Sequence, residues 1–452
     1  MSALILVASV LGLLFGVVYT LFKPRWAILF IIVLYPLEQL LTTASSFFVS
    51  NSKFLNLLVG GLAVIGSGSA LFSGRRPFRG YFNGLWFATI ALYIYGVFGI
   101  AFAPDKQPGI DELILAIPYL GLLLVFPALL INNLEDFRKL VVPTMIVGTV
   151  IIILILLSPK TSMFGGRLGI ENTGVGRDSA EILNPLATAG LGGTIVIFGM
   201  LYRPAAGATV INIIRAVAIA VGLIIALLSG SRGQLLGAVF CGVVMFPFAR
   251  QIKNMVQFIT VSASAFIGMV FVMLVINFAT TRDAASRWSA SALTQGMGSR
   301  EEMATTMLSE WIGNPAAIIQ GLGTSSFDFY WNISDAPYVH NMPVQIVTEN
   351  GLVGLLLLSI ILIVGTRMSF VLLRSCKDHP RELSTAAVLV AYCMYQFILS
   401  LKQGNWFSSG APFWTLLILA KLQKRATLDG FESHQLESLT ETYASDPDPE
   451  YA

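Results

Sequence analysis

Charge is scarce in this chain. Of its 452 residues only 12% are Asp, Glu, Lys or Arg, against roughly 25% in soluble domains. That shortage excludes a cytosolic enzyme and a disordered scaffold, both of which need many solvated groups. Cysteine is scarcer still, at three residues. Cys241 and Cys393 fall within apolar stretches, and Cys376 lies in a connection assigned below to the cytoplasm. A secreted disulfide module is thereby excluded. The few histidines and cysteines give no metal-ligand spacing, and neither a Walker loop nor a Gly-x-Gly-x-x-Gly fingerprint is present. Metal, cofactor and nucleotide-sugar chemistry are therefore not expected. The net charge of +3 is too small to suggest a nucleic-acid partner.

Apolar residues fill the space that charge leaves. They make up 55% of the chain, with a mean hydropathy of +0.76, and they come in blocks of about twenty, the length that crosses a bilayer. Thirteen such stretches run over 3–22, 26–42, 54–72, 85–103, 113–131, 140–158, 182–202, 211–229, 234–249, 256–279, 342–365, 383–401 and 411–422. The expected fold is all-α, a polytopic transmembrane bundle of about 12–13 spans. The second, ninth and last stretches are short enough to be re-entrant or interfacial. The first lacks the basic n-region of a cleaved signal peptide. The chain then divides into transmembrane helices over 1–279 with an outer loop at 159–181, a large outer loop at 280–341, further transmembrane helices over 342–422, and a tail over 423–452. Beyond Arg425 the tail holds seven acidic residues and no Lys or Arg, which predicts a solvated, disordered segment.

Lys and Arg accumulate on the cytoplasmic side of membrane proteins. The odd-numbered connections, with the segment after the last stretch, hold 17 of the 28 basic residues. The even-numbered ones hold 10, and Arg215 is expected to snorkel from inside a span. The C-terminus is therefore expected in the cytoplasm and the N-terminus outside.

Two outer connections stand out. One, 159–181, is rich in glycine and carries Arg167 and Arg177. The other, 280–341, is too long for an idle link. Within it Ser299-Arg300-Glu301-Glu302 has the spacing of a helix-capping box. Met303, Met307 and Trp311 recur at helical spacing up to Gly313-Asn314-Pro315, which predicts a short amphipathic helix. Arg232, in Ser229-Gly230-Ser231-Arg232-Gly233, sits in a turn barely long enough to join two spans, on the side that charge bias disfavours. It serves either to anchor a helix end or to hold a phosphate, which guanidinium grips bidentately. His340 stands just before the eleventh stretch, and Glu349 is a carboxylate inside it, a functional candidate or an ion-pair partner. Glu38 is read as structural. The aromatic residues of the long loop, Trp288, Trp311, Phe327, Tyr330, Trp331 and Tyr338, either stack on sugar rings or form loop core and interfacial belt, the second being the favoured reading.

The second half resembles the O-antigen ligase and O-antigen polymerase superfamily of bacterial envelope glycosyltransferases. The resemblance is carried, in order, by Ser229-Gly230-Ser231-Arg232-Gly233, Ser299-Arg300 with Asn314-Pro315, Gly321-Leu322-Gly323-Thr324-Ser325-Ser326-Phe327, and His340-Asn341 followed nine residues later by Gly351-Leu352-Val353-Gly354. It covers 229–354, with Arg177 and Asn184-Pro185 as a fainter upstream match. The family begins with a cytoplasmic N-terminus and about twelve core spans, so thirteen stretches and an outside start depart from it. The resemblance implies a lipid-dependent glycosyltransferase architecture without a metal, at the inner membrane. It implies transfer of a glycan from undecaprenyl pyrophosphate to a sugar hydroxyl at the periplasmic face, as a polymerase or a ligase. Its partners would be the lipid-linked glycan and an acceptor glycan or lipid A core. Arg232 and Arg300, with Arg177 or Arg167, would hold the pyrophosphate, and His340 would activate or position the acceptor. Asn341, Glu349 and Ser231 join them as substrate-binding candidates. The rival expectation is a membrane transporter or lipid flippase, which would place its binding groups near the bilayer midplane in repeated halves. No internal repeat is visible in the sequence.

Overall fold

A computed structural model describes residues 2–251 and 290–445 except 52, 73–75, 165–166, 172–181, 184–185, 332–338, 403–404 and 408–409, together with 252, 254–257, 259–260, 263 and 270. Twelve of the thirteen apolar stretches are helical there, and 256–279 lies largely outside the described residues. Seven described helices are long and apolar enough to cross a membrane: Trp26–Ala44, Phe54–Phe72, Leu134–Leu156, Thr209–Leu228, Arg232–Arg250, Met342–Ser375 and Pro380–Ser400. Gly84–Gly99 and Leu186–Leu201 are shorter apolar helices. The outward faces carry large apolar side chains such as Phe15, Phe98, Ile213, Phe240 and Ile363. A soluble protein does not leave so many of these in water, so the chain is a multi-pass membrane protein.

Local chemistry sets where helices begin and break. Asn83, Asn133, Asn314 and Asn341 sit at N-caps, each accepting a backbone amide of the first turn through its side chain. The stretch at 113–131 is divided: helix Gln107–Tyr119, a π-turn at Leu120–Val125, then helix Phe126–Leu130. Pro118 and Pro127 each remove an amide donor there, and wide turns form where that ladder is interrupted. Inside the bundle, glycine lets helices close in. A Cβ on Gly192 would lie 2.9 Å from the carbonyl oxygen of Gly222, so helices Leu186–Leu201 and Thr209–Leu228 meet backbone to backbone.

Contacts among the described connections fall into two groups. At one end of the bundle, Arg25 pairs with Asp136 at 3.0 Å, the Arg203 amide donates to Ser384 Oγ at 2.9 Å, and Gln251 donates to the Lys377 carbonyl at 2.8 Å. The fully buried Lys421 donates to the Ala128 carbonyl at 2.8 Å and to Asn132 Oδ1 at 3.1 Å. All of these residues come from odd-numbered connections or their helix ends. At the other end, Thr324 donates to the Gly96 carbonyl at 2.6 Å, and Glu112 accepts from Ser325 Oγ at 2.6 Å and Asn405 Nδ2 at 2.7 Å. These come from even-numbered ones, or from the helix that leads into one.

Two local expectations need correcting, at 299–302 and in the tail. Loop 159–181 adds a small sheet to the helical fold: strands Thr161–Phe164 and Arg167–Glu171 pair antiparallel, with Ile182–Leu183 added to the second. Alternating side chains in Thr161–Phe164 and Arg167–Glu171 around a glycine pair suit a hairpin. The loop helix runs Ala290–Gly313, beginning nine residues before Ser299. Ser299 and Arg300 therefore lie inside a helix, and no capping box forms at its start. The last helix runs Ala411–Ser445, through most of the segment expected to be disordered. Leu, Gln and Glu favour helix there more than net charge opposes it.

Candidate functional site

The scaffold of the site is a break in the Met342–Ser375 helix. Gly351 adopts φ +61°, ψ −155°, which ends one helical piece and starts another. The loop 321–326 threads into the gap: the amides of Leu322 and Gly323 donate to the carbonyls of Thr348 and Glu349 at 2.8 and 3.0 Å. These are carbonyls that an unbroken helix would have used itself. Gly321, at φ +90°, lies so close that a Cβ would run into the Glu349 carbonyl. A Cβ on Gly351 would run into that of Ile319. The glycines of the two motifs are thus the two sides of one backbone-to-backbone contact.

Beside the break the polar side chains brace a second segment, Asn405–Trp406. Glu349 is fully buried; its carboxylate accepts from Gln345 Nε2 and from Trp406 Nε1, each at 2.9 Å. Gln345 Oε1 accepts the Trp406 amide at 3.2 Å. Asn405 is held through Glu112, and Glu112 also takes Ser325 from the first loop. Trp406 packs against Tyr93 and Phe407 with ring centroids 5.6 and 5.3 Å away. Two segments far apart in sequence are therefore fixed to the same helical break.

Lys402, from the same connection as Asn405 and Trp406, meets a set of arginines. Its ammonium occupies the space where a side chain at position 233 would stand, beside the first turn of the Arg232–Arg250 helix. Burial, then the charges of Arg300, Arg232 and Arg167, pulls that ammonium down to about 8. The four cations come from four separate connections. Arg167 lies on a strand of the small sheet, Arg232 opens a transmembrane helix, Arg300 rides the exposed face of the loop helix, and Lys402 follows the Pro380–Ser400 helix. His340 belongs to the same neighbourhood. Burial and then the Arg300 charge hold its imidazole below the ordinary 6.5. It adopts φ +56° immediately before the Asn341 N-cap, a left-handed conformation that histidine tolerates better than most side chains.

Of the residues singled out in the sequence, Arg232, Arg300, Arg167 and His340 come together. Arg177 lies outside the described residues, as do Asn184-Pro185, Trp288 and Tyr338. Asn341 caps a helix, accepting the Val344 amide at 3.3 Å. Glu349 is partnered by Gln345 and Trp406. Ser231 holds the N-cap position of the Arg232 helix, 5% exposed, and its hydroxyl meets no partner. Met303, Met307 and Phe327 form a separate small core, with Trp311, Tyr330 and Trp331 packed on it. Lys402 is the member that sequence reasoning passed over. It falls in an even-numbered connection, but nothing in the pattern sets it beside residue 233.

Chemically, such a cluster suits a polyanion. Cations close enough for their charges to act on Lys402 repel it, and opposite charge relieves that repulsion. Among the described residues no group of three or more His, Cys, Asp or Glu side chains could hold a metal ion. No protein-family model matches the chain, and no curated protein matches it.

Proposed function

We propose that the chain is a membrane glycosyltransferase that moves an oligosaccharide from undecaprenyl pyrophosphate to a sugar hydroxyl in cell-envelope polysaccharide synthesis. It is a polymerase or a ligase of the bacterial inner membrane, of the lipid-dependent glycosyltransferase architecture, working at the periplasmic face. The observation that carries this reading is the convergence of Arg167, Arg232, Arg300 and Lys402 from four connections of one bundle end, next to a histidine kept neutral. A carrier would instead collect its binding groups near the bilayer midplane.

The chemistry is a single displacement. The bond from the anomeric carbon to the diphosphate oxygen breaks, and the electron pair leaves with the diphosphate. The acceptor oxygen forms the new bond at that carbon and gives its proton to neutral His340. The guanidinium groups stabilise the charge that grows on the departing diphosphate, and fixed charges of this kind need no reorganisation as the bond breaks.

Reconstitution of the full chain with undecaprenyl pyrophosphate oligosaccharide, with and without lipid A core, tests the proposal. A ladder of lengths without core marks a polymerase, and a product formed only with core marks a ligase. Arg232→Ala is expected to lower turnover on the order of 10²–10³-fold. Transport of the lipid-linked sugar with no new glycosidic bond would replace the enzyme reading with the flippase.

A further inference from the structure

A lysine just past a helix C-terminus ordinarily turns back to that helix's free carbonyls, where the dipole is negative. Lys402 follows the Pro380–Ser400 helix by two residues and does the opposite. Its side chain crosses to the N-terminal turn of the Arg232–Arg250 helix, over Gly233, where dipole and arginines are all positive. The ammonium is half-buried, and the Lys402 amide donates to the Leu399 carbonyl at 3.0 Å, which ties the residue to the end of the Pro380–Ser400 helix. At the N-cap of the same turn the buried Ser231 hydroxyl has no hydrogen-bond partner. A cation held against like charges, next to an unsatisfied hydroxyl, is arranged for an anion that touches both.

We propose that Lys402 is the fourth ligand of the diphosphate, gripping a phosphate oxygen over the first turn of the Arg232–Arg250 helix, with Ser231 as a further contact. This rests on the diphosphate reading above and adds a residue to it. Gly233 is then required for space: any side chain there takes the place of the ammonium.

The test is binding of undecaprenyl pyrophosphate and, separately, inorganic pyrophosphate to the full-length protein in detergent, read by calorimetry. Wild type is expected to bind the lipid diphosphate, and Lys402→Met to weaken it at least tenfold, with Lys402→Arg close to wild type. Gly233→Ala keeps the lysine but displaces its flexible end, so it should match Lys402→Met, and the double variant should lose nothing more. If wild type binds and Arg232→Ala weakens binding while Lys402→Met does not, the Lys402 assignment is overturned alone. If wild type binds neither ligand, the diphosphate reading falls with it. Binding of inorganic pyrophosphate alone, unaffected by Lys402→Met, also overturns the assignment.

Discussion

The indole nitrogen of Trp406 donates to the carboxylate of Glu349 over 2.9 Å, joining a loop to the broken helix 57 residues earlier in the chain. Both groups are fully buried. Glu349→Ala strips the acceptor from Trp406 and from Gln345 at once, and a buried donor left without a partner costs about 1–3 kcal/mol. We expect a lower melting temperature, a shifted tryptophan emission and weaker diphosphate binding together, because Trp406 lies in the same connection as Lys402. Loss of binding with unchanged stability would mean that Glu349 meets the substrate directly.

Lys402→Met should make the unliganded protein more stable at pH 7. Folding lowers the lysine from 10.5 to about 8, so the folded state disfavours the charged form. That penalty is present below about pH 8 and is relieved as pH rises toward 10.5. Thermal unfolding of wild type should therefore improve over that window, while Lys402→Met starts higher and stays flat across it. Stabilisation on removing a charged side chain is the signature of a residue kept for binding.

The acid limb of activity is expected below pH 6.5. His340 must be neutral to accept a proton, and burial with the Arg300 charge holds its pKa under the ordinary value. Protonation as pH falls through that value removes the base. The same group makes the folded state lose stability as pH drops below about 6.5, since the unfolded chain binds the proton more readily. Arg300→Gln should move the acid limb upward; a pH–rate profile of the variant that keeps the wild-type limb would remove Arg300 from the vicinity of the histidine.

Gly351→Ala should be among the most damaging single-methyl changes in the protein. The backbone there has φ +61° and the new methyl meets the Ile319 carbonyl. Strain of the first kind alone is worth about 1–3 kcal/mol. Gly84→Ala, at a helix start with nothing within 4 Å of the added carbon, is the control. Size-exclusion profiles and melting temperatures of the two variants compare them directly.

Helices were legible from the sequence because a twenty-residue apolar run in a bilayer has few other ways to satisfy its backbone. The two groups of connections were legible from lysine and arginine placement. What charge counting does not give is adjacency: Arg167, Arg232, Arg300 and Lys402 all fall in even-numbered connections, yet nothing in that count says which of them approach one another. The glycines of 321–323 and 351–354 looked like a functional motif, and Gly321 and Gly351 prove to form a packing joint. The pattern at 299–302 read as a helix start, but a cap forms only where the preceding residues leave the helix, and residues 290–298 do not.

The Lys421 ammonium seals carbonyls at the end of the fifth apolar stretch, across a separation of 293 residues from Ala128. During translation those carbonyls are made well before their partner. At roughly 5–20 residues per second, about 15–60 s pass between them. That corner of the inserted nascent bundle must stay open until the helix of Lys421 leaves the ribosome, so Lys421→Met should leave insertion intact and loosen the corner.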